Sequence, residues 1–190
     1  MYLFCHHLLF HFPQLLQKSF RAEFDNFAWQ ENVELLQKWQ QGKTGYPIVD
    51  AGMRELNTTG FMHNRVRMIV ASFLVKHLLI DWRWGEAYFA EKLLDFDFAA
   101  NNGGWQWAAG CGVDAAPYFR IFNPYLQTLK FDPTFAYIKK WVPELRDVPA
   151  EKLMDAPPPG VRLVKNYPPP VVDHSAARDI TLELFKSSLS

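Results

Sequence analysis

From Met62 to about Ile80, apolar residues return at Val66, Ile69, Val70, Phe73, Leu74 and Leu78, with His77 in the same stripe. The spacing is close to the ~3.6-residue period of an α-helix, and no strand-like alternation elsewhere competes with it in length. The fold class this implies is all-α. Neighbouring stretches agree. Ile48, Val49, Gly52, Met53 and Leu56 keep helical spacing between Pro47, suited to a first turn, and Gly60, suited to a stop. Trp84, Ala87, Tyr88, Glu91 and Leu94 continue the pattern after Asp81-Trp82, and the Asp97 carboxylate is placed to cap a further helix. Beyond Phe122 the pattern weakens, with a short helix expected near Thr134 to Trp141 and another from Ser175 to Phe185. Prolines at 157–159 and 168–170 predict extended connections.

A chain of 190 residues that is 49% hydrophobic and 16% aromatic can bury one sizeable core, so one compact domain is expected. Its twenty basic and twenty acidic residues cancel, so no field of one sign points to a nucleic acid or a membrane. A nucleic-acid partner would have to be met by a local cluster. Cys5 and Cys111 give no disulfide framework and fit a reducing, intracellular and cytoplasmic setting. The apolar opening from Met1 to Phe12 is too short for a membrane span, which takes about 20 residues, and lacks the marks of a secretion signal. It reads as an internal helix preceded by a missing portion.

Several local patterns lead nowhere. Gly42-Lys43-Thr44 looks like the end of a phosphate-binding loop, but the upstream glycine is absent and Tyr46-Pro47 follows where a helix should run. His7 and His11 have a helical metal-ligand spacing without a third ligand nearby, so no metal is expected. Asn57-Thr58-Thr59 is a glycosylation acceptor in form only.

The run from Asp95 to Trp107 (DFDFAANNGGWQW) is different, because two carboxylates, two amides and two glycines sit among aromatics. Buried polar groups need partners, so either they pair within the protein or they face a polar, aromatic ligand. Gly103 and Gly104 would let a flat ligand approach the backbone. On the long helix Asn64, Arg67 and Met68 lie within one turn, and Arg67 is placed to pair with Asp95. A structural salt bridge in an aromatic-rich core accounts for the pattern equally well at this level.

Three runs carry a resemblance: Gly45-Tyr46-Pro47-Ile48-Val49-Asp50-Ala51, Met62-His63-Asn64-Arg65-Val66-Arg67-Met68 and Asn101-Asn102-Gly103-Gly104-Trp105-Gln106-Trp107. In order and spacing they are similar to motifs of the DNA photolyase and cryptochrome family, most nearly of class I cyclobutane pyrimidine dimer photolyases. The resemblance runs through nearly the whole chain, strongest from Lys38 to Phe122, and Val171-Val172-Asp173-His174 is still similar to the family's end. It implies the C-terminal part of a multi-helical FAD-binding domain across residues 1–190, truncated at its N-terminal side. The motif core would occupy about 38–145 and a proline-rich extension about 146–190, with the α/β antenna domain absent.

By the same resemblance, Arg67, Asp95, Phe96, Asp97 and Asn101 line the FAD pocket, with Arg67 paired to Asp95 and Asn101 facing the reactive ring nitrogen. Trp29, Trp82 and Trp105 match a chain of oxidisable indoles that feeds electrons to the flavin. Asn64, Arg65, Met68, Trp107 and Gln127 match positions that meet ultraviolet-damaged DNA. The implied function is light-driven repair of cyclobutane pyrimidine dimers by electron transfer from reduced FAD, as part of a longer chain with the missing N-terminal portion as partner. A cryptochrome-like photosensor, a repair enzyme for the other major ultraviolet lesion and an inactive helical fragment are the alternatives. His63-Asn64-Arg65 with Met68 and Trp107 favours dimer repair.

Overall fold

The computed structural model describes residues 2–117, 119–158 and 160–188. Met1 and Pro159, placed by the sequence in the opening helix and the first proline run, lie outside the described residues. Among those residues there are α-helices and short 3₁₀ turns and no strands. The helices are α1 (Tyr2–His11), α2 (Val33–Gln40), α3 (Pro47–Thr59), α4 (Asn64–Lys76), α5 (Trp82–Lys92), α6 (Phe98–Ala109), α7 (Pro124–Phe131), α8 (Ala136–Trp141) and α9 (His174–Ser188).

The central member is α4, which packs against α3, α5, α6, α7 and α9. Its stripe from Val66 to Val75 is buried, as the periodicity predicts. The helix nevertheless stops at Lys76, short of the expected Ile80. Leu79 turns into the left-handed region at φ 52°, yet Leu78, Leu79 and Ile80 remain in the core. Apolar spacing reports burial, and here burial outlasts the helix. Punctuation elsewhere is as expected: Pro47 begins α3, Gly60 ends it, and Asp97 caps α6 by accepting from Ala100 N (2.8 Å); Asp81, to which the sequence reading gave no capping role, caps α5 by accepting from Arg83 N (3.0 Å). Helices α2 and α7 are additions to the sequence reading, capped by Asn32 and Asn123.

The opening helix forms but is not a core helix. Leu3, Phe4 and Phe10 are exposed, and α1 rests mainly on α6. No helix among the described residues is long and apolar enough to cross a membrane.

The proline-rich tail is tied down from inside the core. Asp50 is fully buried and accepts from Thr44 N (2.7 Å), Thr44 Oγ1 (2.6 Å), Gly45 N (3.0 Å) and the Tyr167 hydroxyl. Val171 N donates to Thr44 O (2.9 Å) and Tyr46 OH to Val172 O (2.8 Å), so the second proline run lies across the start of α3. Gly45 makes this crossing possible: its φ is 78°, and a Cβ there would stand 2.3 Å from Pro169 O.

Candidate functional site

Two packed helices, α4 and α6, carry most of the residues that the sequence singles out. At the open end of α4, His63 caps the helix by accepting from Arg65 N (3.2 Å), which presents Asn64 on the surface and leaves Arg65, Arg67 and Met68 half-buried. The expected pair forms: Arg67 Nη2 donates to both oxygens of Asp95 (2.9 and 2.8 Å), while its Nε donates to Met62 O (2.7 Å). The two side chains are 23% and 50% exposed, so the pair is a rim contact, worth under about 1 kcal/mol to stability. Its fixed geometry orients two groups at an open edge. Asp95 and Phe96 therefore lie at this edge and not in the core.

Asp97 is shared. One oxygen closes the start of α6, and the other meets His6 Nε2 of α1 at 3.0 Å. One turn on, Asn101 Nδ2 donates to Glu86 O (3.0 Å), which uses one of its two N–H donors and fixes the amide, with the amide oxygen as the acceptor Asn101 can offer. Beside it, Glu86 has a buried Oε1 with no partner among the described residues. Burial pushes this carboxyl up from its ordinary range, and the Asn101 amide opposes the shift. Neither His6 nor Glu86 was found from sequence. Their partners lie 91 and 15 residues away, and no local signal marks either.

Two of the three expected indoles are buried and the third is half-buried, and they lie in different neighbourhoods. Trp105 is buried against Trp39 (ring centroids 6.0 Å apart) and Phe89 (5.0 Å). Trp82 is buried one turn before Gly85 of α5, the residue that lies against the Trp105 ring. Trp29 is half-buried, and its ring neighbours are Phe27 (4.4 Å) and Phe185 of α9 (6.5 Å).

Of the remaining expected residues, Arg65 and Gln127 come together where α4 meets α7, and Trp107 lies on α6, whose last residue, Ala109, meets Lys76 at the far end of α4. Arg65 lies 4.5 Å above the Phe131 ring at the end of α7, and Gln127 sits one turn earlier on α7. Trp107, half-buried on α6, has Phe122 as ring neighbour at 6.5 Å. His7 and His11 acquire no third ligand: no group of three or more His, Cys, Asp or Glu suited to a metal occurs among the described residues.

Against known proteins, residues 2–187 match the family model described as the FAD binding domain of DNA photolyase. The chain belongs to the DNA photolyase family. It is 56% identical over 190 residues to the deoxyribodipyrimidine photo-lyase of Escherichia coli, a match covering 97% of this chain and 40% of that relative. A solved class III photolyase from Agrobacterium tumefaciens superposes with a TM-score of 0.91 at 51% identity, covering 98% of this chain and 40% of that one. A Synechocystis cryptochrome structure gives 0.84 at 37% identity, covering 95% and 39%. The chain thus spans about 40% of the length of these photolyase relatives, and the similarity fixes the family but not class I within it.

The photolyase cofactor can be tested against the residues present. A flat ring system with polar edges needs donors and acceptors at a rim, apolar walls and room beside the backbone. The rim is Arg67, Asp95, Asp97 and the Asn101 oxygen. The walls include Phe96 and Phe98, both on the surface; a Cβ added at Gly104 would meet no atom within 4 Å, whereas at Gly103 it would stand 3.0 Å from Cys5 Sγ of α1, so of the two glycines only Gly104 offers an open backbone. The residues fit.

Proposed function

We propose that this chain supplies the FAD-facing and DNA-facing helices of a photolyase that uses light to split cyclobutane pyrimidine dimers, working within a longer polypeptide in the cytoplasm. One observation supports the reading: α4, α6 and their flanking residues hold an ordered set of polar groups, Arg67 bonded to both oxygens of Asp95 and the Asn101 amide held by Glu86 O.

In this reading Arg67, Asp95, Phe96, Asp97 and Asn101 hold FAD, which when bound supplies the light-absorbing reductant. Arg67 orients Asp95 at the rim, and Glu86 holds the Asn101 amide so that its oxygen points one way. A pyrimidine dimer swung out of the duplex needs an aromatic face and an apolar wall, which Trp107 and Met68 would provide. Arg65 contributes charge for the phosphates, and Asn64 and Gln127 contribute amides. Trp105, Trp82 and Trp29 are indoles that can be oxidised in turn. No nucleophile or general base is required of the chain.

The test is to add FAD to the purified chain, remove free cofactor and record the visible spectrum, then compare the unaltered protein with Arg67→Ala and Trp107→Ala. Retained flavin that is lost in Arg67→Ala supports the pocket. Trp107→Ala is expected to keep flavin and to lose about 1–3 kcal/mol of affinity for dimer-containing single-stranded DNA, the usual range for stacking one base. Equal affinity for damaged and undamaged strands by the flavin-loaded protein would refute the repair reading. It would favour the second one, a light sensor, which the structural likeness to a cryptochrome supports.

A further inference from the structure

The last helix, α9, docks on the core where α4 ends, and Lys76, the last residue of α4, and His77, its cap, make the polar contacts. His77 is 4% exposed, and its Nε2 lies 2.8 Å from Nδ1 of His174, the first residue of α9. The two rings stack at 5.1 Å and 25°. Behind them His77 stacks on Phe73 (4.7 Å) and borders Tyr46 (6.1 Å), and its Nδ1 is buried with no partner among the described residues. The preceding residue, Lys76, is 1% exposed; its Nζ donates to Ala109 O at the end of α6 (3.1 Å) and sits 3.4 Å from the centre of the Phe185 ring of α9. Thr181 of α9 donates to Lys76 O. Phe185 is fully buried and packs on Phe27 (4.5 Å), Phe24 (5.6 Å) and Trp29.

We propose that the His77–His174 contact is an acid-sensitive latch whose opening lifts α9 from the core and uncovers the side of Trp29 that Phe185 covers. The bond joins two neutral imidazoles, one donating N–H and one accepting, and two imidazolium rings would turn donor against donor. The group has little help for an added charge. Asp173 favours protonation of His174 and Arg178 opposes it, Tyr46 contributes only a hydroxyl bonded to Val172 O, and Lys76 on the same helix adds none of the negative charge an imidazolium would need. Burial lowers His77 from 6.5 to about 3, with His174 adding to the shift, and burial also lowers His174. A base with a depressed docked value destabilises the docked state as pH falls below its free value of 6.5, and the contact is intact above it. Lys76, lowered to about 7, has finished most of its own effect before that window opens.

The latch is read on the flavin-free chain, so its failure is separate from failure of the repair reading. The experiment is amide hydrogen exchange by residue, expressed as protection factors, at pH 7.5 and 5.0. The His77 shift alone predicts a loss of protection in α9 on the order of thirtyfold, with α3 and α4 retained. The double variant His77→Phe/His174→Phe is expected to abolish that loss. Unchanged α9 protection at pH 5.0, loss shared equally by α3 and α4, or the same loss in the double variant would each overturn the proposal. Should the variant not fold, imidazole proton titrations of the unaltered chain decide. Midpoints for both His77 and His174 below 6.5 are expected, and either at or above that value is contrary.

Discussion

Gly85 and Gly104 are interior glycines of neighbouring helices, and the structure predicts opposite outcomes for the same substitution. A Cβ at Gly85 would stand 2.1 and 2.4 Å from two ring carbons of Trp105 and 2.7 Å from Leu74 Cδ2. The indole is enclosed by Trp39 and Phe89 and has no free end to move. Overpacking of this kind costs about 1–3 kcal/mol, and contacts this short belong at the upper end. Against it stands a gain of about 1 kcal/mol from replacing glycine by alanine in a helix. Gly85→Ala should therefore lose about 2 kcal/mol, which for a chain of this size lowers Tm by about 4–8 °C. A Cβ at Gly104 meets nothing within 4 Å, so Gly104→Ala keeps the propensity gain of about 1 kcal/mol and raises Tm by about 2–4 °C. Thermal unfolding followed by far-ultraviolet circular dichroism on the flavin-free chain measures both. Near-ultraviolet dichroism should change only in Gly85→Ala, because only there does an indole shift. A Gly85→Ala protein as stable as the parent, with an unchanged near-ultraviolet spectrum, would refute the claimed contact between α5 and Trp105.

Tyr167→Phe removes one of the donors to buried Asp50 and leaves the carboxylate with Thr44 and Gly45, so a loss of about 1–3 kcal/mol is expected from urea unfolding at unchanged slope. Lys76→Met tests the buried amine: with the docked value at about 7 against 10.5 in the free chain, the stability of the unaltered protein relative to the variant should rise by about 2 kcal/mol between pH 7 and 9. The sign follows from a depressed base, whose unfolded form binds the extra proton across that range, and a pH-independent difference would show that Lys76 is not held neutral.

The sequence made legible what local chemistry controls. Asp97 starts α6 because a carboxylate can accept from the first free amides, and Pro47 and Gly60 bracket α3 for reasons internal to four or five residues. The same kind of signal stands at Asn123-Pro124, where the cap and first turn of α7 are both written, although the apolar pattern beyond Phe122 is weak. The face of α1 was not readable, because a segment apolar all round gives no direction. Pairing at a distance was readable only where charge restricted the choice: Arg67 with Asp95 follows from two opposite charges and one open helix end. His6 with Asp97 and His77 with His174 are 91 and 97 residues apart, and nothing local selects those partners.

That difference bears on which parts of the site the chain itself determines. Asn101 is held by the backbone of Glu86, Arg67 by the backbone of Met62, and Asp97 by the start of its own helix, so each is oriented by contacts within α4 to α6 and their connections. Asp97 alone also depends on α1, the helix with the most open apolar surface. Removing the His6 imidazole should therefore leave the Arg67–Asp95 pair and the Asn101 amide in place and loosen only the second oxygen of Asp97. His6→Ala is expected to retain the helix content and Tm of the parent within about 2 °C, since an exposed pair contributes under about 1 kcal/mol. Exchange of the first amides of α6 should stay slow, because the capping oxygen is the other one. Rapid exchange there in His6→Ala would mean that α1, and not the cap, holds the start of α6.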